Sequence, residues 1–401
     1  MKVSGFRFAA AEAGIKKRGG LDVGLIACDE PATAAAVFTR NLVRAAPVHI
    51  AEERVLHSKA RAILVNAGNA NACTGDLGTI ACLASTRSIA EALGCPEVQV
   101  LPASTGVIGQ VLPAEKIQAV AGKLVASLDE DGAERFADAI LTTDRFRKVA
   151  TATAGKGAQK AQFLGICKGA GMIHPDVGGA GKLPQPPGPP HATMLTFIVT
   201  DAVADAAALQ RALESASELT FNAVSVDGDT STNDTIFVLA SGKSGVAPSE
   251  AELSTALLEV MKPLARAMVR DGEGAEHAVD IVVRGLATEQ DAKQVARTVA
   301  TSPLVKTAIA GKDANWGRLL AAAGRAGVPF HPGEASVYID GVCICEGGLP
   351  RDAAADAEAT TRMKKPEFAI ELVLGRGPGQ FTYVTCDLGH AYVDINAGYR
   401  S

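Results

Sequence analysis

One junction in the chain has the residues of a self-activating threonine nucleophile. At Ala192–Thr193, a segment rich in glycine and proline meets the run Met-Leu-Thr-Phe-Ile-Val-Thr, which is typical of a buried strand. If the peptide bond between Ala192 and Thr193 breaks, Thr193 gains a free α-amine with a pKa of about 8. That amine is within reach of the Oγ of the same residue and can act as its general base without a histidine. Thr193 is therefore the candidate nucleophile, and the bond before it the candidate cleavage site.

Two other short motifs carry polar groups that such a nucleophile needs. In Ser104-Thr-Gly-Val-Ile-Gly109, the hydroxyl of Thr105 and the N–H of Gly106 can converge on one oxygen, as an oxyanion hole requires. The alternative is an ordinary turn, which on spacing alone is the more frequent case. Lys168 precedes Gly-Ala-Gly and can bring a cation to a closely approached backbone, although this motif alone is equally weak.

The run from Ser225 to Thr235 is dense in oxygen-bearing side chains. A calcium loop starting at Asp227 needs glycine and glutamate where Thr232 and Val238 stand, so calcium is excluded. Two interpretations stay open, a polar network that supports a site and a pair of Asx turns. The position of the run directly before a predicted strand favours the first.

Neither a metal site nor a phosphate loop is predicted. The eight cysteines contain no CxxC pair, and the histidines contain no pair with ligand spacing. The Gly-Lys pairs at Gly181 and Gly242 lack the glycine that a Walker loop places five residues earlier. We therefore expect a reaction without a cofactor.

The hydrophobic pattern predicts an α/β protein. Runs rich in β-branched residues predict strands over Ala62–Val65, Leu195–Thr200, Thr235–Leu239, Val279–Val283, Val337–Cys345, Ile370–Leu374 and Phe381–Cys386. Helical spacing of Ala and Leu predicts helices over Ala114–Leu128, Glu250–Val269, Gln290–Thr301 and Arg318–Arg325. The two types do not alternate strictly, so we expect mixed sheets covered by helices.

The segment from Asp176 to His191 interrupts this pattern. Nine of its sixteen residues are glycine or proline, which excludes a core helix or strand because proline removes backbone donors and glycine is conformationally free. We expect 176–191 to be a mobile tail that leads to the cleavage site.

Composition narrows the class of protein. The 401 residues carry a formal net charge of -5 with 47% apolar residues, and this acidic balance argues against nucleic-acid or anionic-membrane binding. No apolar run is long enough for a membrane helix. Charged residues interrupt the first seventeen positions, which argues against a secretory signal. The expectation is a cytoplasmic enzyme without nucleic-acid or membrane partners.

Taken together, the motifs resemble those of the ornithine acetyltransferase family, the bifunctional glutamate N-acetyltransferases of the cyclic arginine pathway. The resemblance runs from Gly5-Phe6 to the last residue, and its specificity comes from the order and spacing of many short motifs. They are Gly14-Ile-Lys-Lys17, Ala36-Val-Phe-Thr39, Ala45-Ala-Pro47, Asn66-Ala-Gly-Asn-Ala-Asn71, Ser104 to Gly109, Thr142-Thr-Asp144, Lys168-Gly-Ala-Gly-Met-Ile173, Ala192-Thr-Met-Leu195, Ser225 to Thr235, Asp271-Gly-Glu-Gly-Ala275, Asp313-Ala-Asn-Trp-Gly-Arg318 and Asn396-Ala-Gly-Tyr-Arg-Ser401.

The resemblance implies an N-terminal-nucleophile-type α/β fold, self-cleaved into an α chain of 1–192 and a β chain of 193–401. It implies Thr193 as nucleophile and Thr105 with Gly106 as the oxyanion hole. It also implies an assembly of two α and two β chains. The implied substrate-binding residues are Thr142, Lys168, Thr193, Glu273, Asn396 and Ser401.

The implied reaction is ping-pong transfer of acetyl from N-acetylornithine to glutamate through an acetyl-threonine, with acetyl-CoA as a second candidate donor. Lys168 suits the substrate carboxylate and Glu273 an ammonium group, as charge-assisted hydrogen bonds. The alternatives are a hydrolase of the amidase or aminopeptidase type and a non-catalytic metabolite-binding protein.

The chain departs from the family pattern at two places. Sixteen residues separate Pro175 from Ala192, where the family has about two. Glu276-His277 stands where the family continues with Thr-Lys.

Overall fold

The computed structural model of the chain describes residues 2–157, 159–180 and 194–398. Ala192, Thr193, Ser401 and most of the glycine- and proline-rich segment therefore lie outside the described residues. Everything below concerns the described part.

The strands, in chain order, are β1 (Phe6–Ala11), β2 (Val23–Thr39), β3 (Lys59–Asn69), β4 (Val100–Val107), β5 (Lys148–Lys156), β6 (Gln159–Lys168), β7 (Val177–Gly179), β8 (Leu195–Thr200), β9 (Val224–Ser225), β10 (Thr235–Ala240), β11 (Ala278–Gly285), β12 (Ser336–Ile339), β13 (Val342–Glu346), β14 (Leu349–Pro350), β15 (Glu367–Val373) and β16 (Gly377–Cys386).

The helices are α1 (Ala46–Val55), α2 (Gly75–Leu93), α3 (Ala114–Ala126), α4 (Ala133–Ile140), α5 (Ala206–Leu219), α6 (Glu250–Arg270), α7 (Glu289–Ala300), α8 (Pro303–Ala310), α9 (Trp316–Gly324), α10 (Ala353–Arg362) and α11 (His390–Ala397). Local chemistry begins several of them. Asp205 accepts the N–H of Ala208 at the start of α5, and Thr288 accepts that of Asp291 at the start of α7.

The chain forms two compact units. The first comprises Met1–Asn222 and Asp229–Met268, and the second Ala223–Gly228 and Val269–Ser401. In the first unit the described strands form a mixed sheet in the order β4-β3-β2-β10-β8-β6-β5, with β1 and β7 also paired to β2. The pairs β3/β4 and β8/β10 are parallel and the others antiparallel. The predicted mixed-sheet α/β class is confirmed.

Helices cover both faces of the β2–β3 part of this sheet, and successive residues of each strand pack against different helices. Leu25 on β2 and Leu64 on β3 belong to a cluster that includes side chains of α2 and α3. Their neighbours Ile26 and Ile63 belong to another cluster, which includes side chains of α1 and α4. Because successive side chains of a strand point to opposite faces, the sheet forms the middle layer between helices.

The second unit has its own sheet. In its described part the strand order is β14-β13-β12-β15-β11-β16-β9, with β11/β15 and β16/β9 parallel. Val279, Ile281 and Val283 alternate along β11 and pack in a core with residues of α7, α8 and α9.

Most predicted elements are present, and Leu195–Thr200 has the predicted bounds. The single strand predicted over Val337–Cys345 is wrong, because two antiparallel strands, β12 and β13, occupy that range. Between Ile339 and Val342, Asp340 and Gly341 both have positive φ (47° and 87°). Asp-Gly is the dipeptide that a two-residue hairpin turn of this kind favours.

The expectation that all of 176–191 is an unpaired tail is wrong for its first residues. Strand β7 is buried and pairs antiparallel with the end of β2. Its N–H at Val177 donates to Asn222 Oδ1 at 2.9 Å. A Cβ at Gly179 would lie 2.1 Å from Oε1 of Glu214. A side chain here would require the end of Glu214 to move, and the glycine still supplies backbone groups to the sheet.

No described helix combines the length and apolar character needed to cross a membrane.

The first-unit core predicts a large penalty for one truncation. Phe197 on β8 is 1% exposed and contacts the ring of Phe136 at 5.4 Å and that of Phe237 at 6.3 Å between centroids. Phe197→Ala is expected to lower the free energy of unfolding by about 3–5 kcal/mol, because it leaves a cavity. Phe146→Ala is the matched control, since that ring is 41% exposed. Equal losses in chemical denaturation for the two variants would contradict the packing described.

Candidate active site

A buried cluster of charges lies at the ends of β5 and β6. Lys148, the first residue of β5, pairs in register with Cys167, which is next to Lys168 at the end of β6. Nζ of Lys148 is 2.7 Å from Oδ1 of Asp144, and Nζ of Lys168 is 3.8 Å from Oδ2 of the same carboxylate. The side chains of Asp144 and Lys148 are fully buried, and that of Lys168 is 4% exposed.

Asp144 stays ionised in this setting. Burial by itself raises the pKa of its carboxyl, but Lys168 and Lys148 and the N–H of Gly169 outweigh it and lower the pKa to about 2. Gly169 N donates to Oδ1 at 2.7 Å.

Lys168 joins this cluster to two threonine hydroxyls. Its Nζ donates to Oγ1 of Thr142 at 2.8 Å and to Oγ1 of Thr105 at 3.1 Å. A hydroxyl that accepts from an ammonium keeps its own proton for donation. Thr105 is 1% exposed, so its proton is directed within a water-poor site, where a donor to a developing oxyanion is most effective.

Gly106 follows Thr105 at the end of β4, beside Gly68 of β3. Its φ is +132°, and a Cβ at this position would lie 2.3 Å from the carbonyl carbon of Gly68 and 2.5 Å from the nitrogen of Asn69. The ordinary turn considered above is wrong, because Thr105 and Gly106 lie in strand β4 where its pairing with β3 becomes irregular. Only glycine fits this backbone conformation and this distance.

The polar run before β10 forms hydrogen bonds with the backbone next to Thr105. Asn233 donates to the carbonyls of Ala70 (2.7 Å) and Ser104 (3.0 Å), which ties it to the residue before Thr105. Asp234 accepts the N–H of Met194 at 2.7 Å through Oδ1. Ser231 to Thr235 are all buried, so the interpretation of this run as a supporting network fits the geometry.

Two further predicted residues lie together in the second unit. Glu273 is in the turn after α6, and Asn396 on α11 donates to its Oε2 at 2.9 Å. Gly274 lets the two segments approach, since a Cβ there would lie 2.5 Å from the nitrogen of Tyr392. The helix α11 is otherwise largely exposed.

The structure thus brings together Thr105, Gly106, Thr142 and Lys168 in the first unit, and Glu273 with Asn396 in the second. Thr193, Ala192 and Ser401 lie outside the described residues. Sequence reasoning did not give roles to Asp144, Lys148, Asn233 or Asp234. Asp144 belongs to the motif Thr142-Thr-Asp144, and Asn233 and Asp234 belong to the oxygen-rich run from Ser225 to Thr235. Neither pattern predicts which side chains contact one another. Among the described residues, no group of His, Cys, Asp and Glu side chains could hold a metal ion.

Comparisons with known proteins show the family of the chain. The ArgJ family profile matches residues 7–401. The chain is 44% identical to the arginine biosynthesis bifunctional protein ArgJ of Geobacter sulfurreducens, over 100% of both chains. It is similar to the solved structure of ArgJ from Bacillus halodurans (38% identity, TM-score 0.49, 51% of this chain and 98% of that one). It is also similar to that of ornithine acetyltransferase complexed with ornithine from Mycobacterium tuberculosis (35% identity, TM-score 0.39, 44% of this chain and 93% of that one).

The chain is therefore an enzyme, an acetyltransferase of arginine biosynthesis. The family match and the sequence identity over the full length show that the chain belongs to the ArgJ family.

The charge cluster predicts a specific dependence of stability on pH. Because the pKa of Asp144 is depressed from 3.8 to about 2, its contribution is complete above pH 4 and is lost as the pH falls through 2. That contribution is about 2 kcal/mol. Asp144→Asn is expected to lower the free energy of unfolding most at pH 6, with a smaller deficit at pH 2.5, as urea titrations at both pH values measure.

Asp138→Asn serves as the control for Asp144→Asn. Asp138 pairs with Arg147 at the surface, where an ion pair is worth about 0–1 kcal/mol. A deficit for Asp144→Asn that is the same at pH 6 and pH 2.5 would count against the ionised cluster.

Proposed function

We propose that the protein transfers the acetyl group of N-acetylornithine to glutamate, with Thr193 as the nucleophile and an acetyl-threonine as intermediate. The observation that carries the proposal is the contact of one buried ammonium, Lys168, with both Thr105 and Thr142. It supplies a cation for the substrate carboxylate and a polarised hydroxyl for the reacting carbonyl within the same hydrogen-bonded group. Curated relatives over the full length carry the name arginine biosynthesis bifunctional protein, which supports the same substrates.

The reaction has two half-steps. Thr193 Oγ attacks the acetyl carbonyl while its proton passes to the α-amine, and Thr105 Oγ1 and Gly106 N donate to the oxyanion. The C–N bond then breaks, the α-ammonium returns the proton, and ornithine leaves. Glutamate repeats the sequence in reverse on the threonyl ester and departs as N-acetylglutamate.

Two residues of the second unit, Glu273 and Asn396, are further substrate-binding residues in this proposal. Glu273 accepts a hydrogen bond from the cationic side-chain amine or the α-amine of the substrate. Asn396 fixes the carboxylate of Glu273 by its hydrogen bond. Ser401 completes the substrate-binding residues. Acetyl-CoA is an additional donor that the same ester intermediate would accept.

The free amine of Thr193 requires cleavage between Ala192 and Thr193, which gives an α chain of 1–192 and a β chain of 193–401. We propose that this cleavage is autocatalytic and that two copies of each chain assemble in the cytoplasm. The sheet supports a cut at this point. Strand β8, the first of the β chain, pairs with β6 of the α chain and with β10 of the β chain. Hydrogen bonds of one sheet thus hold the two chains together.

Incubation with N-acetylornithine alone tests the intermediate. The intact mass of the β chain is expected to rise by one acetyl group, and glutamate is expected to remove it as N-acetylglutamate. Thr193→Ala should abolish transfer. Thr105→Val should lower kcat by about a hundredfold or more, because one oxyanion donor is lost. Thr142→Val is the matched variant: it should raise KM more than it lowers kcat.

Steady turnover with excess N-acetylornithine but without any acetylated β chain would contradict the covalent mechanism. Free acetate released without dependence on glutamate would identify a hydrolase instead. An uncut chain that binds ornithine without turnover would indicate a binding protein.

Processing gives a separate prediction. The longer approach to the cleavage site costs up to about 2 kcal/mol of loop closure relative to a two-residue link, and the pairing of β7 with β2 lowers this cost. Deletion of 181–189 should therefore speed cleavage, while the kcat of the mature enzyme stays unchanged. Amino-terminal sequencing of the smaller fragment should read Thr-Met-Leu-Thr. A start at any other residue would refute Thr193 as the nucleophile.

A further inference from the structure

The reaction proposed above assigns no role to the motif Asn66-Ala-Gly-Asn-Ala-Asn71, although this motif lies beside the candidate oxyanion hole. Asn66 is buried on β3 and stands opposite Ser104 of β4 in the register of the two parallel strands. Its Oδ1 accepts the hydroxyl of Ser104 at 2.6 Å, and its Nδ2 donates to the carbonyl of Asn69 at 2.8 Å. Because Ser104 directly precedes Thr105, one amide side chain links β3 to the residue before the candidate oxyanion donor.

The orientation of the Asn66 amide follows from its two partners. A backbone carbonyl can only accept a hydrogen bond, so the atom of Asn66 that faces the carbonyl oxygen of Asn69 is Nδ2. Oδ1 then faces Ser104, and the hydroxyl of Ser104 must donate to it. A rotated amide would lose the contact with Asn69, because two acceptors would face each other. The side chain of Asn66 is therefore held in one orientation.

The same amide fixes the place where β3 lies against Gly106. A Cβ at Gly106 would be 2.5 Å from the nitrogen of Asn69, so the two backbones are in close contact. Asn66 holds the carbonyl of Asn69, and the side chain of Asn69 donates to the carbonyl of Gln110, beyond the end of β4, at 3.1 Å. With Ser104 bound on the other side, the backbone before and after Gly106 is tied to the end of β3.

Stability alone does not require a polar pair at this position. The three residues that precede Asn66 on β3, Ile63 to Val65, are buried and apolar. Replacement of a buried hydrogen-bonded pair by apolar groups of the same shape is close to neutral for stability. A buried polar pair whose hydrogen bonds are satisfied instead specifies one arrangement of the groups around it. Around Asn66 and Ser104, those groups are the backbone of Thr105 and Gly106.

We propose that Asn66 is a positioning residue for the oxyanion hole. Through the hydroxyl of Ser104 and the carbonyl of Asn69, it aligns Oγ1 of Thr105 and the N–H of Gly106 on the same oxygen. The inference rests on the proposed function, in which these two groups donate to the oxyanion. Such donors act as charge develops on the oxygen, so their misalignment lowers the rate of acetyl transfer and leaves substrate binding unchanged. Asn66 itself neither gains nor loses a proton.

Asn66→Ala and Ser104→Ala test the proposal, because each variant removes one partner of their hydrogen bond. The rate constant of β-chain acetylation by N-acetylornithine alone is followed by intact mass in a single turnover. Asn66→Ala is expected to lower this rate constant about tenfold to a hundredfold, because small displacements of reacting groups are costly. The half-saturating concentration of N-acetylornithine is expected to stay within about twofold of wild type. Ser104→Ala is expected to show a smaller loss of rate, because the hydrogen bond from Asn66 to Asn69 remains.

The Thr105→Val background shows whether Asn66 acts through the oxyanion donor. Residues that act through one another have non-additive effects, so Asn66→Ala is expected to cost less rate in Thr105→Val than in wild type. The same fold-loss in both backgrounds would overturn the proposal. Should Asn66→Ala fail to fold, Ser104→Ala is compared in the same two backgrounds and decides in the same way.

Ser217→Ala is the matched control for Ser104→Ala. Ser217 is equally buried, and its hydroxyl donates to the carbonyl of Leu213 at 2.8 Å within α5. This variant is expected to keep the wild-type rate constant. A loss of stability in Ser104→Ala without any loss of rate would mean a purely structural role and would contradict the proposal.

The rate constant is measured on cut chains only, so slower processing of a variant does not alter it. If wild type itself forms no acetylated β chain, the proposed function fails. If wild type reacts and both Asn66→Ala and Ser104→Ala keep its rate constant, only the inference on Asn66 fails.

Discussion

The ionised carboxylate of Asp144 is the constraint on which the first-unit site depends. Two ammonium groups, those of Lys148 and Lys168, lie within a nearly water-free interior, where an uncompensated charge costs several kcal/mol. The carboxylate of Asp144 lies within ion-pair distance of both. Lys168 in turn donates hydrogen bonds to the hydroxyls of both Thr105 and Thr142.

The backbone makes this arrangement specific. The β5–β6 ladder sets Lys148 beside the residue before Lys168, and the glycine at 106 lets β4 approach β3 closely enough to present the hydroxyl of Thr105. Asn233 then holds the carbonyl of Ser104 from the run before β10. Thr105, Lys148 and Lys168 therefore have positions fixed by strands, which keeps such groups aligned. Thr142, Asp144 and Asn233 lie in the loops that lead into β5 and β10.

Several of these facts were predictable from the sequence and others were not. The strand Leu195–Thr200 was predictable because both of its faces are buried and five of its six residues are β-branched or aromatic. Thr105 and Lys168 could be proposed from their neighbours in the chain, and from the family resemblance. The pairing of Asp144 with Lys168 could not, because 24 residues separate them and only the strand register joins them. The hairpin within Val337–Cys345 was missed although its Asp-Gly signal was present.

In the second unit, the fold accommodates two residues that differ from the family pattern. Where the family continues with Thr-Lys, this chain has Glu276-His277, and the backbone N–H groups of both residues donate to Oδ1 of Asp387. The ring of His277 is buried against Phe368, with Nδ1 2.8 Å from the carbonyl oxygen of Lys365.

Glu276 itself points to the surface, where its carboxylate is 3.4 Å from Nζ of Lys312. The side chain of His277 therefore packs in the interior and that of Glu276 forms a surface ion pair. Asp387 accepts hydrogen bonds from the backbone of both residues. The neighbouring Glu273 keeps its hydrogen bond to Asn396. The different residues at 276 and 277 therefore leave the contact between Glu273 and Asn396 in place.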